Sequence, residues 1–150
     1  MRLPNGWKVK TAWLVMAFVA LLVITSQAAW GASVGVSLGK MIENTDEMTG
    51  QVSFEAWDWV VSEQITRTTN IVSLAKKVDP QWCLIGCFYQ KLGVAYVSGS
   101  NKVGNLNYQL AMGFYFPTVE FEYYHYSSAG INRVNNGLDG FLFRLRISLN

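Results

Sequence analysis

Two runs near the C-terminus alternate in polarity, Val119-Glu120-Phe121-Glu122-Tyr123-Tyr124 and Phe141-Leu142-Phe143-Arg144-Leu145-Arg146-Ile147. Successive side chains of a strand point to opposite faces, so each run predicts a strand with one apolar and one charged face. The segment from Ala129 to Leu138 joins them. It contains Gly130, Asn135, Asn136 and Gly137, residue types that tolerate positive φ. The pattern therefore predicts a β-hairpin.

The charged faces predict the register of this hairpin. Pairing Glu122 with Arg144 sets a carboxylate opposite a guanidinium, and the same register pairs Glu120 with the next arginine. A slip by two residues in either direction breaks one of these two pairs. The favoured register also sets Ser127 opposite Asp139.

The apolar face of the hairpin carries His125, Ser127 and Asp139. A serine, a base that takes its proton and an acid that orients the base are the parts of an acyl-transfer triad. His125 is the only histidine, so it is the one ordinary candidate for a general base near neutral pH. An enzyme that attacks a lipid from within a bilayer would present such residues among apolar side chains. The structural alternative is an interfacial histidine beside polar loop residues.

The N-terminus has the pattern of a secretory signal. Basic residues precede an apolar run from Ala12 to Ile24, and small residues follow it. We predict a cleavable signal helix over residues 1–32, with cleavage near Ala28 to Ala32. A retained transmembrane helix is the alternative, but the apolar run is shorter than the ~18 residues or more that a span needs.

The remaining segment, residues 33–150, has the length of one domain. The chain is 14% aromatic and only 15% charged, whereas ordinary soluble domains average about 25% charged residues. With no second long apolar run, this composition predicts an all-β fold, an eight-stranded antiparallel outer-membrane β-barrel. The net charge of +2 is small and the basic residues do not cluster, so nucleic acid is not an expected partner.

Turn residues divide the rest of this domain into further predicted strands. The segment from Ser62 to Lys77 is ambiguous between strand and short helix. Trp57 and Trp59 share a face of the second strand, where they fit an interfacial aromatic girdle or the core of a sheet. The predicted strands are Ser33 to Lys40, Gln51 to Val60, Phe88 to Gly99 and Leu106 to Phe116.

The two cysteines, Cys83 and Cys87, are predicted to be unbonded; the alternative is a disulfide, which an exported protein permits and which would need a turn at Ile85-Gly86. In a straight strand, residues four apart are separated by about 13 Å, beyond the ~7 Å Cα limit for a disulfide. Zinc is not expected, because the chain has one histidine and no further cysteine. No phosphate-binding loop or EF-hand pattern is present, and no cofactor is expected.

The segment from His125 to Ile131, followed by Asn135-Asn136-Gly137-Leu138-Asp139, resembles the C-terminal signature of the lipid A 3-O-deacylase (PagL-type) family. That signature is His-Tyr-Ser-Asn-Ala-Gly, a short Asn-x-Gly loop, and an acidic residue fourteen positions after the histidine. Asp139 stands fourteen positions after His125. The resemblance is specific over roughly the last thirty residues and looser at Trp57-Asp58-Trp59 and Gly93-Val94-Ala95.

The resemblance implies an outer-membrane esterase with an eight-stranded barrel and a site on its outer wall. It implies that Ser127 is the nucleophile, His125 the base and Asp139 the orienting acid. Two positions depart from the signature, because the acid is usually Glu and the residue after the nucleophile, here Ser128, is usually Asn. The backbone N–H groups of Ser128, Ala129 and Gly130 are then the expected oxyanion donors.

The expected substrate is an ester-linked 3-hydroxyacyl chain of lipid A, and membrane lipids are the other expected partners. Whether the protein forms a homodimer is left open by the sequence. Three alternatives remain: an outer-membrane phospholipase A, a catalytically inactive structural or lipid-binding barrel, and a soluble lipid-binding barrel. The phospholipase has a larger barrel and an orienting Asn. The soluble barrel requires the apolar faces of the last two strands to point inward.

Overall fold

The computed structural model describes residues 32–42, 47–79, 83, 86–131 and 136–149. These residues form eight strands: β1 (Ser33–Met41), β2 (Met48–Ala56), β3 (Trp59–Ile65), β4 (Asn70–Val78), β5 (Cys87–Ser98), β6 (Leu106–Tyr115), β7 (Val119–Ser127) and β8 (Leu138–Ser148). No helix in these ranges is long and apolar enough to cross a membrane. The predicted signal peptide lies, except for Ala32, outside the described residues and stays a prediction.

The strands pair in sequence order and close into a barrel through β1 and β8, so the predicted eight-stranded antiparallel barrel is confirmed. Every neighbouring pair is antiparallel. We call the end that carries the connections 42–47, 66–69, 99–105 and 128–137 the upper rim. The opposite end, with the connections 57–58, 79–86 and 116–118, is the lower rim.

One predicted strand is wrong in its bounds, and an ambiguous segment proves to be strand. The predicted strand from Gln51 to Val60 is broken by a two-residue turn, in which Trp57 and Asp58 have φ angles of 50° and 62°. Tight hairpin turns of this kind need positive φ at both central residues, and sequence signals for them rest on glycine and asparagine, which are absent here. The helical alternative for Ser62 to Lys77 is also wrong, because this segment forms the end of β3, a turn and most of β4.

The outer wall of the barrel is apolar, and the charged face of the β7–β8 hairpin points into the interior. Phe121 of β7 and Leu145 of β8 are 54% and 55% exposed on the outer wall. Glu120 and Glu122, on the opposite face of β7, are only 0% and 1% exposed. The predicted facing of the hairpin is therefore confirmed: the apolar faces with Phe121 and Leu145, which a soluble lipid-binding barrel would turn inward, point outward. The outer wall exposes large apolar side chains, among them Val36, Leu38, Leu74, Leu92, Val94, Leu110, Met112, Phe114, Phe141 and Phe143.

The predicted register of the β7–β8 hairpin is wrong by two residues. His125, not Ser127, stands opposite Asp139, and Glu122 stands opposite Leu142 rather than Arg144. Both predicted ion pairs nevertheless form, since Glu122 lies 3.4 Å from Arg144 and Glu120 lies 3.8 Å from Arg146. Long side chains make these contacts without standing directly opposite, and a further cation reaches Glu122 from Lys91 of β5.

The interior has two parts along the barrel axis. The upper part is a packed cluster of aromatic and aliphatic side chains: Met41, Ile71, Ala95, Val97, Val103, Ala111, Tyr124, Tyr126, Leu138 and Leu142. The lower part is an ion-pair network formed by Glu55, Glu120, Glu122, Lys77, Lys91, Arg144 and Arg146. Charged side chains therefore fill the lower interior, where each carboxylate lies next to at least one lysine or arginine.

The prediction of unbonded cysteines is wrong, because Cys83 and Cys87 form a disulfide at the lower rim. Their Cα atoms are 4.2 Å apart, far closer than the ~13 Å of a straight strand. Cys83 pairs antiparallel with Cys87 at the start of β5, so the two cysteines do not lie along one straight strand as the prediction assumed.

Candidate active site on the outer wall

His125 and Asp139 meet on the outer wall at the upper end of β7 and β8. They are directly opposite each other in the sheet, and His125 Nδ1 lies 2.9 Å from Asp139 Oδ1. Their side chains are 37% and 18% exposed, so the pair is neither free in solvent nor fully enclosed. A carboxylate that accepts from Nδ1–H fixes the neutral tautomer in which Nε2 carries the lone pair, as a general base requires.

Ser127 lies two residues beyond His125, at the end of β7 and on the same outer face. Its Oγ accepts a hydrogen bond from the N–H of Ala129 at 3.3 Å. This donor is one of the three predicted oxyanion groups, and it points toward the oxygen that would attack a carbonyl. The structure thus places the predicted nucleophile, base and acid on one outward-facing patch, and joins the base and the acid by a hydrogen bond.

A tight turn follows Ser127. Ala129 and Gly130 have φ angles of 48° and 85°, and the N–H of Ile131 donates to the carbonyl of Ser128 at 2.9 Å. Positive φ is costly for alanine, and strained backbone of this kind is concentrated at functional sites. Because the turn fixes the Ala129 peptide, it also fixes the direction in which this N–H points.

The returning end of the loop packs on the imidazole. A Cβ added at Gly137 would lie 2.9 Å from His125 Cε1, and Gly137 has a φ of 76°. The neighbouring Asn136 N–H donates to the carbonyl of Lys102 at 3.0 Å, which ties this segment to the β5–β6 connection. The close approach of the Gly137 backbone limits where the His125 ring can move.

Tyr123 also belongs to this site and was not among the predicted site residues. Its hydroxyl donates to Asp139 Oδ1, the same oxygen that meets His125. Sequence parity does place Tyr123 on the face of His125 and Ser127, but the predicted register set Asp139 too far along β8 for this contact.

The surroundings of the site are apolar. Leu110 of β6 stands opposite His125, and Phe141 of β8 stands opposite Tyr123; both are exposed on the outer wall. An ionisable pair on a lipid-facing surface is costly and usually marks a functional site. Among the described residues, no group of three or more His, Cys, Asp or Glu side chains could hold a metal ion.

Comparison with known proteins gives a fold relationship. No protein-family model matches the chain, and no curated protein matches it in sequence. The outer membrane enzyme PagL has a similar crystal structure, with a TM-score of 0.61 and 17% identity over 77% of this chain and 98% of that chain. A de novo designed transmembrane β-barrel is also similar, with a TM-score of 0.51 and 12% identity over 78% of this chain and 95% of that chain. At these identities the likeness shows a barrel fold of the outer-membrane type.

Proposed function

We propose that this protein is an outer-membrane esterase that removes an ester-linked 3-hydroxyacyl chain from lipid A. The observation that carries the proposal is the hydrogen-bonded pair His125–Asp139 beside Ser127 on the apolar outer wall. A barrel with an apolar exterior is stable in a bilayer because all its strands are paired and its polar side chains face inward. Acyl esters of membrane lipids would reach this wall without leaving the bilayer.

In the proposed reaction, Asp139 holds the Nδ1–H of His125, and His125 Nε2 takes the proton of the Ser127 hydroxyl. Ser127 Oγ then attacks the ester carbonyl, and the Ala129 N–H stabilises the oxyanion. The tetrahedral intermediate then collapses, the bond to the sugar oxygen breaks, and His125 gives its proton to that oxygen, which leaves an acyl-serine and a free sugar hydroxyl. A water molecule, deprotonated by His125, hydrolyses the acyl-serine and restores the serine hydroxyl.

The two departures from the family signature bear on this mechanism differently. Asp139 is one methylene shorter than Glu, but its position directly opposite His125 lets Oδ1 reach hydrogen-bond distance. Ser128 replaces an Asn, so the side-chain amide that the resemblance would supply is missing. The main-chain donor at Ala129 takes on more of the oxyanion stabilisation, and loss of one such donor can lower the rate by about 10²–10³-fold.

The test is fatty-acid release from purified lipopolysaccharide by the protein folded in detergent, without added calcium. We expect a 3-hydroxy fatty acid as product. Ser127→Ala should lower release by at least about 10³-fold, because the members of a triad act as a unit. Ser98→Ala is the matched control, since Ser98 ends β5 at the same rim and donates to the carbonyl of Asn70. Cleavage of phospholipid alone, and only with calcium, would instead indicate a phospholipase A.

The second candidate function is a barrel without catalysis. Its support is the similarity to a designed transmembrane barrel, which shows that this architecture forms without any constraint from a reaction. Under this alternative the protein inserts into membranes and releases no fatty acid from either lipid, and Ser127→Ala changes nothing.

A further inference from the structure

We propose that Tyr123 is a positioning residue of this site, whose hydroxyl holds the Asp139 carboxylate in the orientation that meets His125. The inference rests on the proposed function for its consequence in catalysis. The contact itself is a property of the outer wall and can be measured independently of any activity.

Two donors converge on one carboxylate oxygen. Asp139 Oδ1 lies 2.9 Å from His125 Nδ1 and also accepts the hydrogen bond from the Tyr123 hydroxyl. A carboxylate held by a single donor can rotate about its χ2 torsion, which is broad for aspartate. A second donor on the same oxygen removes this freedom, so Oδ1 stays directed at the imidazole.

The register of the hairpin makes this arrangement possible. Because His125 stands opposite Asp139, the side chain of Tyr123 reaches Asp139 along the diagonal of the sheet, two residues further down β7. The Tyr123 ring packs against Phe141, its direct cross-strand neighbour, with ring centroids 5.4 Å apart and planes inclined by 54°. The tyrosine is thus braced by an aromatic pair while its hydroxyl reaches the acid.

The other two tyrosines of β7 lie on the opposite face of the strand. Tyr124 and Tyr126 point into the barrel and are fully buried, and the Tyr124 hydroxyl accepts a hydrogen bond from Gln64 at 2.8 Å. Tyr123 alone of the three lies on the face of His125 and Ser127. An aromatic residue on the outer wall could serve as a membrane-interface anchor, but an anchor directs its hydroxyl toward lipid headgroups or water. The Tyr123 hydroxyl is directed at Asp139.

The first test uses the fact that the chain contains one histidine. In the protein labelled with ¹⁵N-histidine and folded in detergent, nitrogen shifts report which ring nitrogen of His125 carries the proton. We expect the Nδ1–H tautomer in the wild type, and a mixture of tautomers in Tyr123→Phe because the carboxylate is less well held. Tyr96→Phe is the matched control, since it removes another outer-wall hydroxyl, whose partner is Asn105 and not a residue of the proposed triad. An unchanged tautomer in Tyr123→Phe would overturn the proposal.

The second test is a double-mutant cycle on fatty-acid release. We expect Tyr123→Phe to lower kcat about tenfold with KM nearly unchanged, the scale of one hydrogen bond to a charged group. In an Asp139→Ala background the same substitution should cause no further loss, because no carboxylate remains to be held. Equal losses in both backgrounds would indicate a general structural role and overturn the proposal. If the wild type releases no fatty acid, the proposed function fails, and the tautomer measurement alone decides whether Tyr123 positions Asp139.

Discussion

The β7–β8 hairpin carries ionisable residues at both ends, buried inside the barrel at the lower end and exposed on the outer wall at the upper end. At the lower end, Glu120, Glu122 and Arg144 are buried inside the barrel, within a network that spans several strands. At the upper end, His125 and Asp139 lie partly exposed on the outer wall, bonded to each other, and Asp139 also accepts from Tyr123. The same two strands therefore provide an internal scaffold and the external patch at which we propose the reaction.

The two groups of ionisable residues have different explanations: the buried charges stabilise the barrel, and we propose that the exposed pair acts in catalysis. The lower charges are needed because the interior is filled and each carboxylate there neutralises cations that would otherwise be buried alone. The fold of the described barrel does not require a histidine and a carboxylate on a wall that is otherwise mainly apolar. We conclude that the lower end should respond to substitution through stability and the upper end through activity.

Glu122→Ala is expected to give the largest change in stability. The substitution leaves Lys91 buried without its carboxylate, and Arg144 loses one of its two acidic neighbours. Removing one partner of a buried pair costs about 3–5 kcal/mol, whereas Ser127→Ala on the outer wall should change the free energy of unfolding by less than about 0.5 kcal/mol. Urea unfolding of the detergent-folded barrel, followed by its heat-modifiable gel mobility, measures both.

A paired substitution sharpens this prediction. Lys91→Met combined with Glu122→Gln removes both charges and should recover much of the stability that Glu122→Ala loses, since no isolated lysine remains buried. If Glu122→Ala and Ser127→Ala unfold at the same urea concentration, the lower network is solvated and the contrast between the two ends is lost.

Gly137→Ala is expected to have a smaller effect, confined to the upper end. The new Cβ would lie 2.9 Å from His125 Cε1, so the imidazole must move away from its place beside Asp139. We expect fatty-acid release to fall about tenfold, and the strain at positive φ to cost roughly 1–3 kcal/mol. Gly50→Ala is the control, because a Cβ there meets nothing within 4 Å. Full activity in Gly137→Ala would show that the His125 ring does not depend on this loop.

Much of the barrel could be predicted because parity is a local property. Alternation in β7 and β8 was enough to place Phe121 outside and Glu122 inside, as the structure confirms. Register is not local in a closed barrel. Lys91, which lies 31 residues before Glu122, supplies one of its two cationic partners, and no pattern within the hairpin reveals that partner. The turn at Trp57 and Asp58 was missed for a different reason, because it adopts positive φ without the glycine or asparagine that signals such turns.

The candidate site was predictable in its residue types and less so in its geometry. His125, Ser127 and Asp139 follow from chemistry and from the resemblance of the last segment to a known signature. Their arrangement depends on register, so the prediction set Ser127 opposite the acid where the structure sets His125. Tyr123 was missed because its role appears only once Asp139 is placed within reach of its hydroxyl.

The central claim is that Ser127 on the outer wall is a nucleophile activated by His125. Its most direct test is covalent labelling of the detergent-folded protein with an alkyl fluorophosphonate, followed by peptide mass spectrometry. The account predicts stoichiometric modification of Ser127, with none at the adjacent Ser128 and almost none in His125→Ala. Absence of label on Ser127 in the folded wild type, or equal labelling of Ser127 in His125→Ala, would contradict it.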